Sequence, residues 1–149
     1  MKRFEFSLQK VLALREFERK QAEAELGRAV AAETGIQHTL EQTAEQRAAT
    51  VRAADAMHDL HSLYAASRYF MLLDQRKESL LEELAEAQLV TEEKRDAMRE
   101  AMKRQKVLEQ LRERRREAWK KEAQKAEDSV IDDITTSAAA AGKYSRRDA

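Results

Sequence analysis

Apolar residues recur along two stretches of the chain at spacings that alternate four and three, and no proline interrupts either stretch. In residues 8–47 the stripe runs Leu8, Leu12, Arg15, Arg19, Ala22, Leu26, Ala29, Glu33, Ile36, Leu40, Thr43, Arg47. Seven of these twelve are apolar, so the face is defined but broken by charge. In residues 73–119 it runs Leu73, Lys77, Leu80, Leu84, Ala87, Thr91, Lys94, Met98, Ala101, Gln105, Leu108, Arg112, Arg115, Trp119, with eight of fourteen apolar. That alternation is the seam of a coiled coil. Two long helices with one narrow apolar face each satisfy those faces most economically against each other. The expected fold class is therefore all-α: a long two-helix antiparallel coiled-coil hairpin with a disordered C-terminal tail.

Residues 1–134 are expected to form the hairpin, with arms at about 7–56 and 67–134. The turn is expected at about 57–66, where Met57-His-Asp-Leu-His-Ser-Leu-Tyr64 breaks the seam and supplies the cap-type residues Asp59 and Ser62. Ser7 is the expected N-cap of the first helix. Pairing positions whose numbers sum to 127 sets Glu33 against Lys94, Leu26 against Ala101, Leu40 against Ala87 and Leu8 against Trp119. It also brings Arg15 near Arg112. Glu16 with Lys20, Glu100 with Arg104 and Glu117 with Lys121 are spaced to support the exposed faces. Gly27 and Gly35 interrupt the first arm, each costing about 1 kcal/mol relative to Ala, and either soften it or permit close approach. At a rise of 1.5 Å per residue, each arm of about 50 residues is roughly 75 Å long. Residues 135–149 lack a stripe and read as a flexible tail.

Composition narrows the class. The chain has 149 residues, with 38% charged, 5% aromatic, three glycines and no cysteine. This is the profile of long helices, too poor in large apolar groups for a thick core. Disulfides, thiolate chemistry and cysteine-based zinc sites are excluded. Net charge is zero, yet residues 99–121 carry ten basic and four acidic side chains, while 122–134 carry five acidic and one basic. Local fields therefore matter more than the total. The N-terminus has no apolar h-region, and no run approaches a membrane span, so a cytoplasmic chain without direct membrane insertion is expected.

Little in the chain supports catalysis. His58 and His61, with Asp55 and Asp59, form at most half of a metal site, and polar residues gathering at an exposed turn are the better explanation. There is no Gly-rich phosphate loop and no nucleophile–base constellation. No enzyme activity, cofactor or metal is expected. Two surfaces stand out instead. Arg112-Glu-Arg-Arg-Arg116 with Trp119-Lys-Lys121 makes a basic end beside Lys10, Arg15, Arg19 and Lys20. Its plain explanation is a solvated helix face; docking on an acidic protein surface is the functional one. The interspersed Glu109, Glu113 and Glu117 weigh against nucleic acid. Near the turn lie Tyr64, Tyr69, Phe70, Met71, Leu72 and Leu73, more large side chains than two helices can bury at an apex.

The opening Phe4-x-Phe-x-Leu-Gln-x-Val-Leu-x-Leu-Arg15, the segment Tyr69–Leu73, the block Glu113-Arg-Arg-Arg116 and the ending Val130-Ile-Asp-Asp-Ile134 occur in that order. Together they resemble the FliJ family of flagellar type III export proteins over residues 3–134. The resemblance implies a non-enzymatic stalk, similar to the central shaft of rotary ATPases. It implies as partners the flagellar export ATPase hexamer, a membrane export gate protein and export chaperones. It implies a cytoplasmic location, peripheral at the base of the flagellum. On this footing the ATPase-ring contact is expected at Leu8, Val11, Leu12, Arg15, Arg19, Arg112, Arg115, Arg116 and Trp119. The export-gate contact is expected at Tyr64, Tyr69, Phe70, Leu73 and Arg76. The isolated chain is expected to be a monomer. The rivals are the equivalent injectisome stalk, a structural scaffold that dimerises through parallel helices, and a nucleic-acid-binding helical protein.

Overall fold

The computed structural model describes residues 3–145. It consists of two long helices packed against each other, α1 (Gln9–Asp55) and α2 (Leu60–Ser145). The chain divides into two compact units: Glu16–Lys103, and Met1–Arg15 with Arg104–Ala149.

In the unit Glu16–Lys103 the connection takes only residues 56–59. Residues 60–66, expected within the turn, are already helical. Asp59 explains the early start. Its carboxylate accepts from the Ser62 backbone N–H at 2.9 Å and from the Ser62 hydroxyl at 2.9 Å, satisfying donors at the head of α2. Those bonds hold the Asp59 carboxyl below its ordinary pKa.

The two stripes read from the sequence become the seam. In α1, Ala22, Leu26, Ala29, Glu33, Ile36 and Leu40 are half-buried and Thr43 is buried. In α2, Leu73, Leu80 and Thr91 are buried, and Leu84, Ala87, Lys94, Met98 and Ala101 are half-buried. Only Arg47 and Lys77 of the stripes lie exposed in this unit. Each fully buried leucine stabilises the packing by about 1.5–3 kcal/mol. The hydroxyls of Thr43 and Thr91 donate to the carbonyls of Thr39 and Ala87, so neither leaves a polar group stranded in the seam.

The pairing of the stripes differs from the expected one. Lys94 Nζ donates to Glu25 Oε2 at 2.9 Å, not to Glu33, and Arg47 Nε donates to Asp74 Oδ1 at 2.9 Å. These pairs sum to 119 and 121 rather than 127, a slip of about one heptad. A seam that repeats every seven residues looks the same after such a slip, and the earlier turn moves the whole pairing with it. Gly27 and Gly35 do not mark a close approach either. A Cβ at either position would meet open space. The helix-supporting pairs also differ. Arg19–Glu23, Arg95–Glu92, Arg99–Asp96 and Lys103–Glu100 form, rather than Glu16–Lys20 or Glu117–Lys121.

In the other unit Leu12 is completely buried, Phe6 nearly so, and Leu8, Leu108, Arg112 and Trp119 are half-buried. Ser7 does not cap α1. Its Oγ accepts from an Arg115 guanidinium N–H at 2.9 Å, and the chain enters α1 through backbone bonds from Gln9 N–H to the Phe6 carbonyl and Leu12 N–H to the Leu8 carbonyl. Beyond Ala123, every residue from Gln124 to Ala141 is exposed. The segment expected as a tail begins as a continuation of α2, which runs to Ser145; residues 146–149 lie outside the described residues.

Leu80→Ala is expected to lower unfolding stability by about 2–5 kcal/mol, read from urea midpoints. Gly35→Ala is expected to raise it by about 0.4–1 kcal/mol in the same measurement, because it stiffens the unfolded chain and meets no obstacle.

The Lys94 ammonium, by hydrogen bond first and charge second, lowers the Glu25 carboxyl pKa, and Arg47 does the same for Asp74. A carboxyl lowered in the fold stabilises fully above the ordinary carboxylate range, about 4, and loses that contribution as pH falls through the folded value. Stability should therefore decline on acidification below about pH 4. The Glu25→Gln chain should show a shallower decline in pH-dependent urea melts.

Candidate docking surfaces

The first surface belongs to the unit built from both ends of the chain. The lead-in residues 3–8 cross α2 and are held there by aromatic and cationic contacts. The Phe4 and Trp119 rings lie 5.9 Å apart between centroids at an interplanar angle of 51°, a tilted geometry favoured by ring quadrupoles. The Arg115 guanidinium sits 6.0 Å from the Phe6 ring centroid while it bonds Ser7. Beside these contacts opens a groove of about 890 Å³. Phe4, Phe6 and Trp119 provide its apolar wall; Arg3, Arg112, Arg116 and Lys120 line it with positive charge, against the single carboxylate of Glu5.

The expected ring-contact residues therefore divide. Arg112, Arg116 and Trp119 line the groove. Val11 is 38% exposed on the surface of this unit. Leu12 is fully buried, so it holds the unit together and has no surface to offer; Leu8 is half-buried. Arg115 is engaged with the lead-in, and Arg15 has an interaction of its own. Arg19 belongs to the other unit and is bonded to Glu23 at 3.0 Å. The sequence reading omitted Arg3, Phe4 and Lys120. The signal for Phe4 and Arg3 is the aromatic and basic opening of the chain.

The second surface lies at the start of α2, in the unit Glu16–Lys103. Tyr64 is 65% exposed and Tyr69 40%, with Leu60, Met71 and Leu72 also open to solvent. Arg76 is exposed. Leu73 is buried in the seam, and Phe70 is half-buried beneath the Arg47 guanidinium, 5.3 Å from its ring centroid. Phe70 and Leu73 thus close the hairpin, and the tyrosines are the part presented outward. A small groove nearby is lined by Leu40, Thr43, Ala44, Leu73 and the Arg47–Asp74 pair.

His58 and His61 do not complete a metal site. Among the described residues no group of three His, Cys, Asp or Glu side chains could hold an ion, and Asp59 is committed to capping. No helix among the described residues is long and apolar enough to cross a membrane.

Two long helices packed against each other, with an arginine-rich groove on one unit and exposed tyrosines on the other, define a two-helix coiled-coil protein. The chain belongs to the FliJ family: the family model described as Flagellar FliJ protein matches residues 4–143, nearly its whole length. Membership makes it a flagellar, export-related protein of structural or adaptor type. Neither a curated protein nor a solved structure matches the chain.

Trp119 is the single tryptophan, so its emission reports on this unit alone. Phe4→Ala should shift that emission to longer wavelength and increase quenching by iodide, while the far-ultraviolet circular dichroism stays helical.

Proposed function

We propose that the protein is a non-enzymatic stalk and adaptor of the flagellar type III export apparatus. In this reading it binds the export ATPase hexamer and promotes its assembly. It also couples the hexamer to the membrane export gate and to export chaperones, working in the cytoplasm at the base of the flagellum. The observation that carries the reading is the family match over residues 4–143. The groove of Arg3, Arg112, Arg116 and Lys120 around Phe4 and Trp119 supports the ring contact, since basic side chains with an aromatic anchor suit an acidic protein surface. The exposed Tyr64 and Tyr69, with Arg76, support the gate contact.

The work of such a protein is differential binding. It promotes the hexamer only if it binds the assembled ring better than separated subunits, by the mass-action rule that a ligand stabilises the state it prefers. It biases subunit states only through unequal contacts with them.

Recovery of the export ATPase with the intact chain from flagellated cells is the expected result of a pull-down. Reversing Arg112, Arg115 and Arg116 to Glu should reduce stimulation of the ATPase in a salt-sensitive way and leave helicity intact. Tyr64→Ala with Tyr69→Ala should spare ATPase binding and weaken binding to the gate. Full stimulation by the triple charge reversal would sink the ring assignment, and loss of ATPase binding in the tyrosine variant would reverse the two surfaces.

A further inference from the structure

Both halves of a self-complementary interface lie in the unit formed by the two chain ends. Residues 112–121 of α2 hold six basic and two acidic side chains, net +4. Residues 122–134 hold five acidic and one basic, net −4. The sign changes at Lys121–Glu122. The helical face of Arg112 and Trp119 continues beyond this point as Ala123, Ala126, Val130 and Ile134, at steps of three and four residues. Here it has no covering: Val130 and Ile131 are each 57% exposed and Ile134 is 61% exposed. Glu122, Glu127, Asp128, Asp132 and Asp133 form no ion pair with any described residue.

A helix in this condition is poorly supported. Val130, Ile131, Ile134, Thr135 and Thr136 are β-branched, which lowers intrinsic helicity, and helices without burial are marginal in water. The missing partner must offer apolar surface rimmed by positive charge. The groove of Phe4 and Trp119, with Arg112, Arg116 and Lys120, has that chemistry. Within one chain the acidic segment runs on along the same helix and cannot turn back into it. In a second copy the same groove is accessible.

We propose that two copies pair antiparallel through the ends of α2, residues 122–134 of each lying along the Phe4–Trp119 groove of the other. A two-fold axis close to Ala123 makes the arrangement reciprocal. Asp132 and Asp133 of one copy come level with the Arg112–Arg116 run of its partner, and the +4 segment faces the −4 segment twice. In-register parallel pairing sets like charge on like and is disfavoured. The paired length, residues 112–134 of each copy, is about 35 Å at the helical rise. This inference goes beyond the export reading and describes the free chain, since the pairing fills the same groove that the ring contact would use.

Sedimentation equilibrium of the full chain over a concentration series tests it. The expected result is a reversible dimer whose Kd rises roughly tenfold between about 50 mM and about 500 mM salt, as screening shortens the reach of the charges. One variant carries Arg112→Glu, Arg116→Glu and Lys120→Glu; another carries Asp128→Lys, Asp132→Lys and Asp133→Lys. Each alone should be monomeric, because its groove and its acidic or basic segment now share a sign. An equimolar mixture should form a heterodimer, since both opposed pairs are restored. A chain carrying all six substitutions should dimerise as the parent does, which separates lost complementarity from lost folding. A parent chain monomeric at every concentration overturns the proposal. So does either three-residue variant dimerising as tightly as the parent, or a mixture no more associated than its components.

Discussion

One narrow strip of leucine, alanine and threonine between two helices supports everything else in this protein. Neither helix can bury that strip alone, and an uncovered helix gains little in water over the conformational entropy it loses. Packed together, Leu80 and Thr91 in one unit and Leu12 in the other become almost inaccessible. The seam is thin, with Glu33, Lys94 and Arg112 half-buried along it. Its apolar content holds the helices together but discriminates weakly between heptads. Polar contacts make that choice: the Lys94–Glu25 and Arg47–Asp74 bridges, and the Asp59 cap that starts α2 immediately after the turn. Bridges this open to solvent, the Arg47–Asp74 pair exposed and the Lys94–Glu25 pair half-buried, are worth little individually. They matter because a heptad repeat presents a similar apolar face to each neighbouring register.

A seam this narrow leaves most side chains facing water, and function follows from where those side chains collect. In the unit of the two chain ends, the lead-in is tied to α2 by Phe4 on Trp119 and by Arg115 on Phe6 and Ser7. That tie makes an aromatic wall within a set of cations, which one helix could not build. In the other unit, Phe70 and Leu73 are drawn inward near the turn, leaving Tyr64 and Tyr69 outside. Buried aromatics thus hold the hairpin, and the exposed ones stay open to solvent.

Much of this was legible in the chain. The four–three spacing named nearly every seam position from Leu8 to Trp119, because burial in a helix pair depends on which face a residue occupies and the helical period dictates the face. The absence of proline and cysteine restricted the class, and the ordered motifs from Phe4 to Ile134 pointed to the family that the comparison then showed. Of the expected contact residues, Arg112, Arg116 and Trp119 line the groove, and Tyr64 and Tyr69 are exposed. Leu12 and Leu73 are buried: proximity to a charged or aromatic cluster says nothing about which way a side chain faces.

Composition and periodicity by themselves determined that this is a pair of long helices with a shared stripe, a basic stretch beside an acidic one, and aromatic residues near a turn. These properties are local, carried by each residue's type and its phase on the helix. Tertiary structure decided which heptad meets which, that Glu25 and not Glu33 bonds Lys94, that Ser7 serves Arg115 instead of capping α1, and that Phe4 closes on Trp119. Those outcomes join residues 69 to 115 positions apart. A repeating pattern is nearly unchanged by a seven-residue slip, so only the packed chain, with its turn and its cross-helix bonds in place, could choose among them.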